Sequence, residues 1–319
     1  MKYLAIFLAS TVVAMVSSVI ITYYLIDRLK DTHMMGRDMN KVDKPLLPEM
    51  GGLAVVLSFA IAVNVMLILV DNHNALIYAS IFACLGAALV GIIDDIISIR
   101  QRTKALIPFI LAIPLGIVIN DSTIFLPIIG DVDFGWFIVL LVPFGVTCAA
   151  NASNMLEGFN GLGTGLALII SLTLAIISIM LGKWLPLIIL FPLIGALAGF
   201  MIFNAYPAKI FPGDTLTLFA GAAIACAAII GDLKTVGAIL FLPMIVEFFL
   251  KARGRFGAEC WGEVDEKGFL RYEGRIESMT HLVMKWGRIK EWELVMIFWL
   301  WEMALAVVVV SLVYIRFLA

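Results

Sequence analysis

Three clusters of acidic and amide side chains stand out against an otherwise apolar sequence. Asp94 and Asp95 are adjacent in GIIDDIISIRQRTK, Asn151, Asn154 and Glu157 lie in NASNMLEGFNGLGTG, and Asp214 sits in FPGDTLTLFAG. Ionisable groups inside membrane segments are functional candidates by default. These are hard oxygen donors, and Mg²⁺ is held by one or two carboxylates together with phosphate oxygens. Asp214 with Asn154 and the aspartate pair can supply such a set. Adjacent aspartates on a helix diverge by about 100°, so both address one site only near a helix end. A plainer reading makes Asp94 and Asp95 solvated end residues and Asp214 an N-cap. All three clusters fall at the same face of the molecule, which favours a shared site.

The stretch 158–165 (GFNGLGTG) precedes an apolar run. Its N–H groups can approach a phosphate at a helix N-terminus, although glycines are also common where membrane helices pack closely. GxxxxGK[ST], HExxH and GxSxG are absent. The histidines His33, His73 and His281 lack metal-ligand spacing and read as structural or solvated. Cys84, Cys148, Cys226 and Cys260 show no CxxC and imply neither a disulfide framework nor a zinc site.

The elements that position these residues are membrane helices. Of the 319 residues, 62% are hydrophobic and 14% charged, and the mean hydropathy is +1.06. Soluble domains are about 45–50% apolar and about 25% charged, so a soluble globular protein is excluded. The net charge of −2 offers a nucleic acid no electrostatic support. Apolar runs long enough to cross a bilayer fall at about 3–26, 51–70, 75–97, 104–119, 135–153, 163–181, 184–204, 214–231, 234–251 and 292–315. The first is too long for a signal peptide. The fourth is short and contains Pro108 and Pro114, where it would bend. Residues 122–134 alternate around a Gly-Asp turn and predict a small β-hairpin. The fold class is thus an all-α polytopic membrane protein of about ten spans. It forms one domain over 1–319 with a polar loop at about 253–291.

Eighteen of the 22 Lys and Arg residues fall on one side of these spans; Lys2, Lys183, Lys234 and Arg316 fall on the other. The positive-inside rule places the basic side, with all three clusters, in the cytoplasm of a cell-membrane protein and both termini outside. A secondary transporter or channel is an alternative that explains the spans but not carboxylates gathered at cytoplasmic helix ends. Among other intraspan carboxylates, Glu247 lies near the cytoplasmic end of the ninth span and Glu302 nearer mid-membrane. A non-catalytic lipid-binding scaffold is a third alternative.

The segments GRDMNKVDKPLLPEMGG (36–52), GIIDDIISIRQRTK (91–104), NASNMLEGFNGLGTG (151–165), FPGDTLTLFAG (211–221) and KARGRFG (251–257) resemble, in order, the motifs of the polyprenyl-phosphate N-acetylhexosamine-1-phosphate transferases. The resemblance covers nearly the whole chain. It looks closest to the archaeal and eukaryotic dolichyl-phosphate branch, because Arg253-Gly254-Arg255 stands where the muramoyl-pentapeptide branch has a run of histidines. It implies transfer of GlcNAc-1-phosphate from UDP-GlcNAc to dolichyl phosphate with Mg²⁺ (Mn²⁺ as a substitute), starting a lipid-linked oligosaccharide. Another UDP-N-acetylhexosamine and undecaprenyl phosphate are alternative substrates, and a homodimer is a candidate assembly. By the same resemblance Asp94 and Asp95 are the acidic pair at the acceptor phosphate and Lys104 neutralises phosphate. Asn154 and Asp214 hold the metal. Phe211 stacks on uracil, Asn160 hydrogen-bonds it and Gly158 lies on the other ring face. Arg253 and Arg255 lie near the pyrophosphate and sugar, and Glu49 is the acidic residue after the loop proline. Glu157 stands where bacterial relatives carry Asp and the eukaryotic enzyme an apolar residue, so no metal role is assigned to it.

Overall fold

The computed structural model describes residues 2–70 and 74–317; His73 lies outside them. The first crossing is α1 (Lys2–Lys30), followed by a two-stranded ribbon of β1 (Met35–Arg37) and β2 (Leu46–Pro48). Then come α2 (Gly52–Val70), α3 (Ala75–Ile97) and α4 (Gln101–Val118), which runs unbroken through Pro108 and Pro114. β3 (Thr123–Leu126) and β4 (Gly130–Asp133) pair antiparallel, so the expected hairpin is present. A short 3₁₀ turn (Gly135–Phe137) leads into α5 (Ile138–Met155), α6 (Leu162–Met180), α7 (Leu187–Asn204) and α8 (Gly213–Ile230).

The expected ninth span is instead two helices, α9 (Lys234–Leu240) and α10 (Leu242–Arg253), bent by 60°. Pro243 explains the break: it has no N–H to continue the helical ladder. The loop after α10 is itself folded, with β5 (Glu263–Val264) against β6 (Leu270–Arg271) and α11 (Met279–Trp286), before α12 (Glu291–Phe317) closes the chain. With the bent pair counted once, the described residues contain ten candidate crossings. The architecture is an all-α polytopic membrane protein with three two-stranded ribbons.

Burial orders the bundle. The most apolar stretches of α6, α7 and α8 are 67%, 72% and 78% buried, against 22% for α1. The middle three therefore form the centre. Leu8, Val12, Val16 and Ile20 of α1 point outward, as suits a lipid-facing helix. Gly91 sets the closest approach to the centre. A Cβ there would lie 2.5 Å from the Asp214 carbonyl oxygen and from Thr215 Cα, so α3 packs directly on the first turn of α8. Asp95 lies one turn further along α3 on the same face.

Candidate active site

The ends of α3 and α5 and the starts of α4 and α8 meet at the face carrying the basic loops. Asp95 turns to α8: its Oδ1 accepts the Asp214 N–H at 2.7 Å, and its Oδ2 accepts the Thr215 N–H at 3.1 Å and hydroxyl at 2.6 Å. The backbone groups at a helix start need such acceptors, and Asp95 supplies them from another helix. Gly213, with φ 68°, makes room, since a Cβ there would lie 2.6 Å from Asp95 Oδ2. Both oxygens of Asp95 are thus engaged by the first turn of α8, at Asp214 and Thr215.

Asp94 points the other way. Its Oδ1 accepts the Ile99 N–H at 2.6 Å where α3 ends, and its Oδ2 lies 2.8 Å from the Lys104 ammonium. Lys104, in the first turns of α4 and only 3% exposed, also pairs with Asp214 Oδ2. The Asn154 amide lies 2.9 Å from Asp214 Oδ1, 3.0 Å from the Thr217 hydroxyl and 2.7 Å from Lys104 Nζ. The orientation that satisfies all three donates its NH₂ to the first two and offers its oxygen to the ammonium. Three oxygens from α3, α5 and α8 thus converge on one buried cation. Glu49, before α2, joins electrostatically: burial, then the charge of Asp95, raises its carboxyl above the usual range.

Phe211 is fixed through its backbone, donating to the Pro48 carbonyl at 2.8 Å and accepting from Gly51 N–H at 2.9 Å. Asn204 ties this segment to the glycine-rich loop, accepting from the Thr164 hydroxyl and donating to the Ile210 carbonyl. Asn160 is buried in a second cluster. Its N–H donates to Glu291 at 2.8 Å and its side-chain NH₂ to Asp38 at 3.0 Å. Lys41 bridges Glu291 and Asp38, and Asn40 donates to the Gly158 carbonyl at 2.7 Å. Gly158, at φ 146°, faces Cys260 and Trp261 of the long loop. Between the two clusters burial pushes the Glu157 carboxyl up to about 8.

Arg253 and Arg255 are exposed; the former donates to the Ile276 carbonyl, and among the described residues neither contacts the Asp94–Asp214 cluster. What holds their loop is Glu247, buried in α10. It accepts from Met279 N–H at 2.7 Å and the Ser278 hydroxyl at 3.1 Å. His281, stacked on Tyr272, bonds the Glu259 carbonyl at 2.8 Å. Asp38, Lys41, Glu291, Thr215, Thr217 and Glu247 carry these clusters without having been singled out for a site role. Asp38 and Lys41 lie within a quoted motif, GRDMNK, and that was their only signal.

The sequence profile described as Glycosyl transferase family 4 matches residues 76–232, which include Asp94, Asp95, Lys104, Asn154 and Asp214. A protein of Saccharolobus solfataricus is 39% identical over 98% of each chain; its name assigns it provisionally as a UDP-N-acetylglucosamine–dolichyl-phosphate N-acetylglucosaminephosphotransferase. The chain belongs to glycosyl transferase family 4. Within the family, this transferase is also 28% identical to the Schizosaccharomyces pombe protein of the same name without that qualifier, over 70% of this chain and 62% of the relative. A phospho-N-acetylmuramoyl-pentapeptide-transferase of Acetivibrio thermocellus is 29% identical over 66% and 70%. The resemblance read from the motifs is borne out, and a sugar-phosphate transferase displaces the transporter and scaffold alternatives.

Proposed function

We propose that this family 4 transferase moves N-acetylglucosamine-1-phosphate from UDP-N-acetylglucosamine to a polyprenyl phosphate of the dolichyl class, releasing UMP. The observation that carries the reading is the Lys104 ammonium held by Asp94, Asp214 and Asn154 at the basic face of the bundle. Two anionic substrates must meet there, one dissolved and one in the bilayer, so positive charge is the first requirement. By the positive-inside rule this face is cytoplasmic and both termini are outside. The names of the dolichyl-phosphate relatives support the substrates.

A phosphate monoester's second pKa is about 6, so the lipid phosphate is mostly a dianion at pH 7 without a general base. Its oxygen attacks the β-phosphorus of the nucleotide sugar. The bond from that phosphorus to the bridging oxygen breaks, and UMP departs with the electron pair. Lys104 draws the phosphates together, and Asp95 keeps Asp214 oriented. The residues fit a divalent cation, because three hard oxygens already converge on a cationic point. Asp214 and Asn154 would hold Mg²⁺, which when bound neutralises pyrophosphate charge. The folded loop after α10 reaches Gly158, which supports a role for it in covering the sugar.

Purified protein given UDP-N-acetylglucosamine, dolichyl phosphate and Mg²⁺ should release UMP and form the lipid-linked sugar diphosphate, identified by mass spectrometry. Absence of both products, with the protein folded, would reject this reading.

A further inference from the structure

Lys251 stands in the last turn of α10, close before the exposed Arg253, yet its side chain is only 13% exposed. Its ammonium donates to the Met155 carbonyl at 2.6 Å, and the Cys260 sulfur lies 3.2 Å from the same oxygen. Met155 is the last residue of α5, so its carbonyl has no partner within the helix. A cation there also meets the negative end of the helix dipole. Lys251 therefore closes α5 from another helix. The bend in the ninth span makes this possible: α10 leaves the direction of α9 by 60°, and its last turn meets the end of α5. Lys251 is itself held. Glu247, one turn earlier and fully buried, lies 3.7 Å from the ammonium and is fixed by the Met279 N–H and the Ser278 hydroxyl.

Asn154 immediately precedes Met155. Its amide must reach Asp214 at 2.9 Å, Thr217 at 3.0 Å and Lys104 at 2.7 Å together. Hydrogen bonds weaken steeply when distance or angle slips, and helix ends fray unless they are tied down. Groups that orient a metal's ligands matter nearly as much as the ligands, and their loss costs about 10–100-fold in affinity. Resting on the proposed metal role of Asn154, we infer that Lys251 is a positioning residue: by holding the Met155 carbonyl it keeps the Asn154 amide on Asp214 and Lys104, the set that takes the divalent cation. Lys251 acts through Asn154 and not on the substrate.

The test compares the full-length protein with Lys251→Met, Lys251→Arg and Ser278→Ala. The last loosens the start of α11 and leaves Met155 its donor. Amide hydrogen exchange over 151–157 should be at least about tenfold faster in Lys251→Met. Mn²⁺ affinity, measured by electron paramagnetic resonance on the purified protein without nucleotide, should fall about tenfold. The apparent KM for Mg²⁺ should rise to match, with kcat at saturating Mg²⁺ within about threefold of the wild type. Lys251→Arg should restore slow exchange and Mn²⁺ affinity, and Ser278→Ala should move neither. Lys251→Gln, with a shorter neutral donor, should show the same changes at smaller size, and it decides the matter if the methionine variant does not fold. Unchanged exchange over 151–157 overturns the inference whatever happens to turnover, because the lysine then acts elsewhere. Faster exchange with unchanged Mn²⁺ affinity also overturns it, since Lys251 then closes the helix and nothing more. No Mn²⁺ binding by the wild type overturns the metal role of Asn154 and this inference together. A wild type that binds Mn²⁺ but releases no UMP rejects the substrate reading alone, because exchange and Mn²⁺ binding are read without substrate.

Discussion

Asp95 Oδ2 accepts both the backbone N–H and the hydroxyl of Thr215, joining the end of α3 to the first turn of α8. With the Oδ1 bond to the Asp214 N–H, this sets where the Asp214 carboxylate stands. Asp95→Ala strands those buried donors and should destabilise the protein by about 1–3 kcal/mol. Asp95→Asn keeps one acceptor and should cost less. Turnover should fall further in the alanine variant, tracking the loss in thermal stability. Full activity in Asp95→Ala would show that Asp214 needs no such support.

Lys104 is the charge on which Asp94, Asp214 and Asn154 converge. Removing one partner of a buried ionic set leaves the others uncompensated and costs about 3–5 kcal/mol. Lys104→Met should therefore lower thermal stability and abolish turnover. Lys104→Met combined with Asp94→Asn should regain part of the stability but none of the turnover, because the phosphates still lack their cation. Recovery of activity in that double variant would assign Lys104 a structural role only.

The elements and the acid–amide cluster were legible because each is a local pattern: an apolar run, a Gly-Asp turn, a motif of about a dozen residues. The break at Phe241 was hidden although Pro243 is plain in the sequence, since the apolar run continues across it. The second cluster was not legible, because its pairing is long-range. Lys41 and Glu291 are 250 residues apart, and neither sits in a pattern that announces the other. The divergence of Asp94 and Asp95 is legible from their adjacency on a helix, but not which groups each carboxylate meets. Arg253 and Arg255 carry a motif signal, and the fold leaves both exposed where α10 passes into the long loop.

Glu157 supplies a pH dependence. Burial lifts its carboxyl from the ordinary value near 4.5 to about 8, so between those values the folded protein holds a proton that the unfolded chain releases. Stability must then fall as pH rises through that window, by at most about 1.4 kcal/mol per pH unit. Below about 4.5 the group contributes no slope. Glu157→Gln keeps the shape without the titration and should flatten melting temperature against pH from 5 to 8. The same slope in wild type and variant would mean that Glu157 is ionised in the fold.

Cys260 lies on the long loop, but it is 2% exposed and burial pushes its thiol up to about 11. It should resist water-soluble maleimides, which react with thiolates. Cys84 and Cys226 are buried, and Cys148 is exposed on the membrane helix α5, so the native thiols give a low background. Glu266 is exposed between β5 and β6, so Glu266→Cys provides the handle for sidedness. In sealed vesicles of known orientation, an impermeant maleimide should label it from the cytoplasmic side. Labelling from the outside alone would invert the proposed topology and move the whole site with it, because Asp94, Asn154 and Asp214 share that face. If UDP-N-acetylglucosamine slows labelling more than UDP does, the loop senses the sugar. Equal protection by both would keep the topology and reject the sugar-covering role.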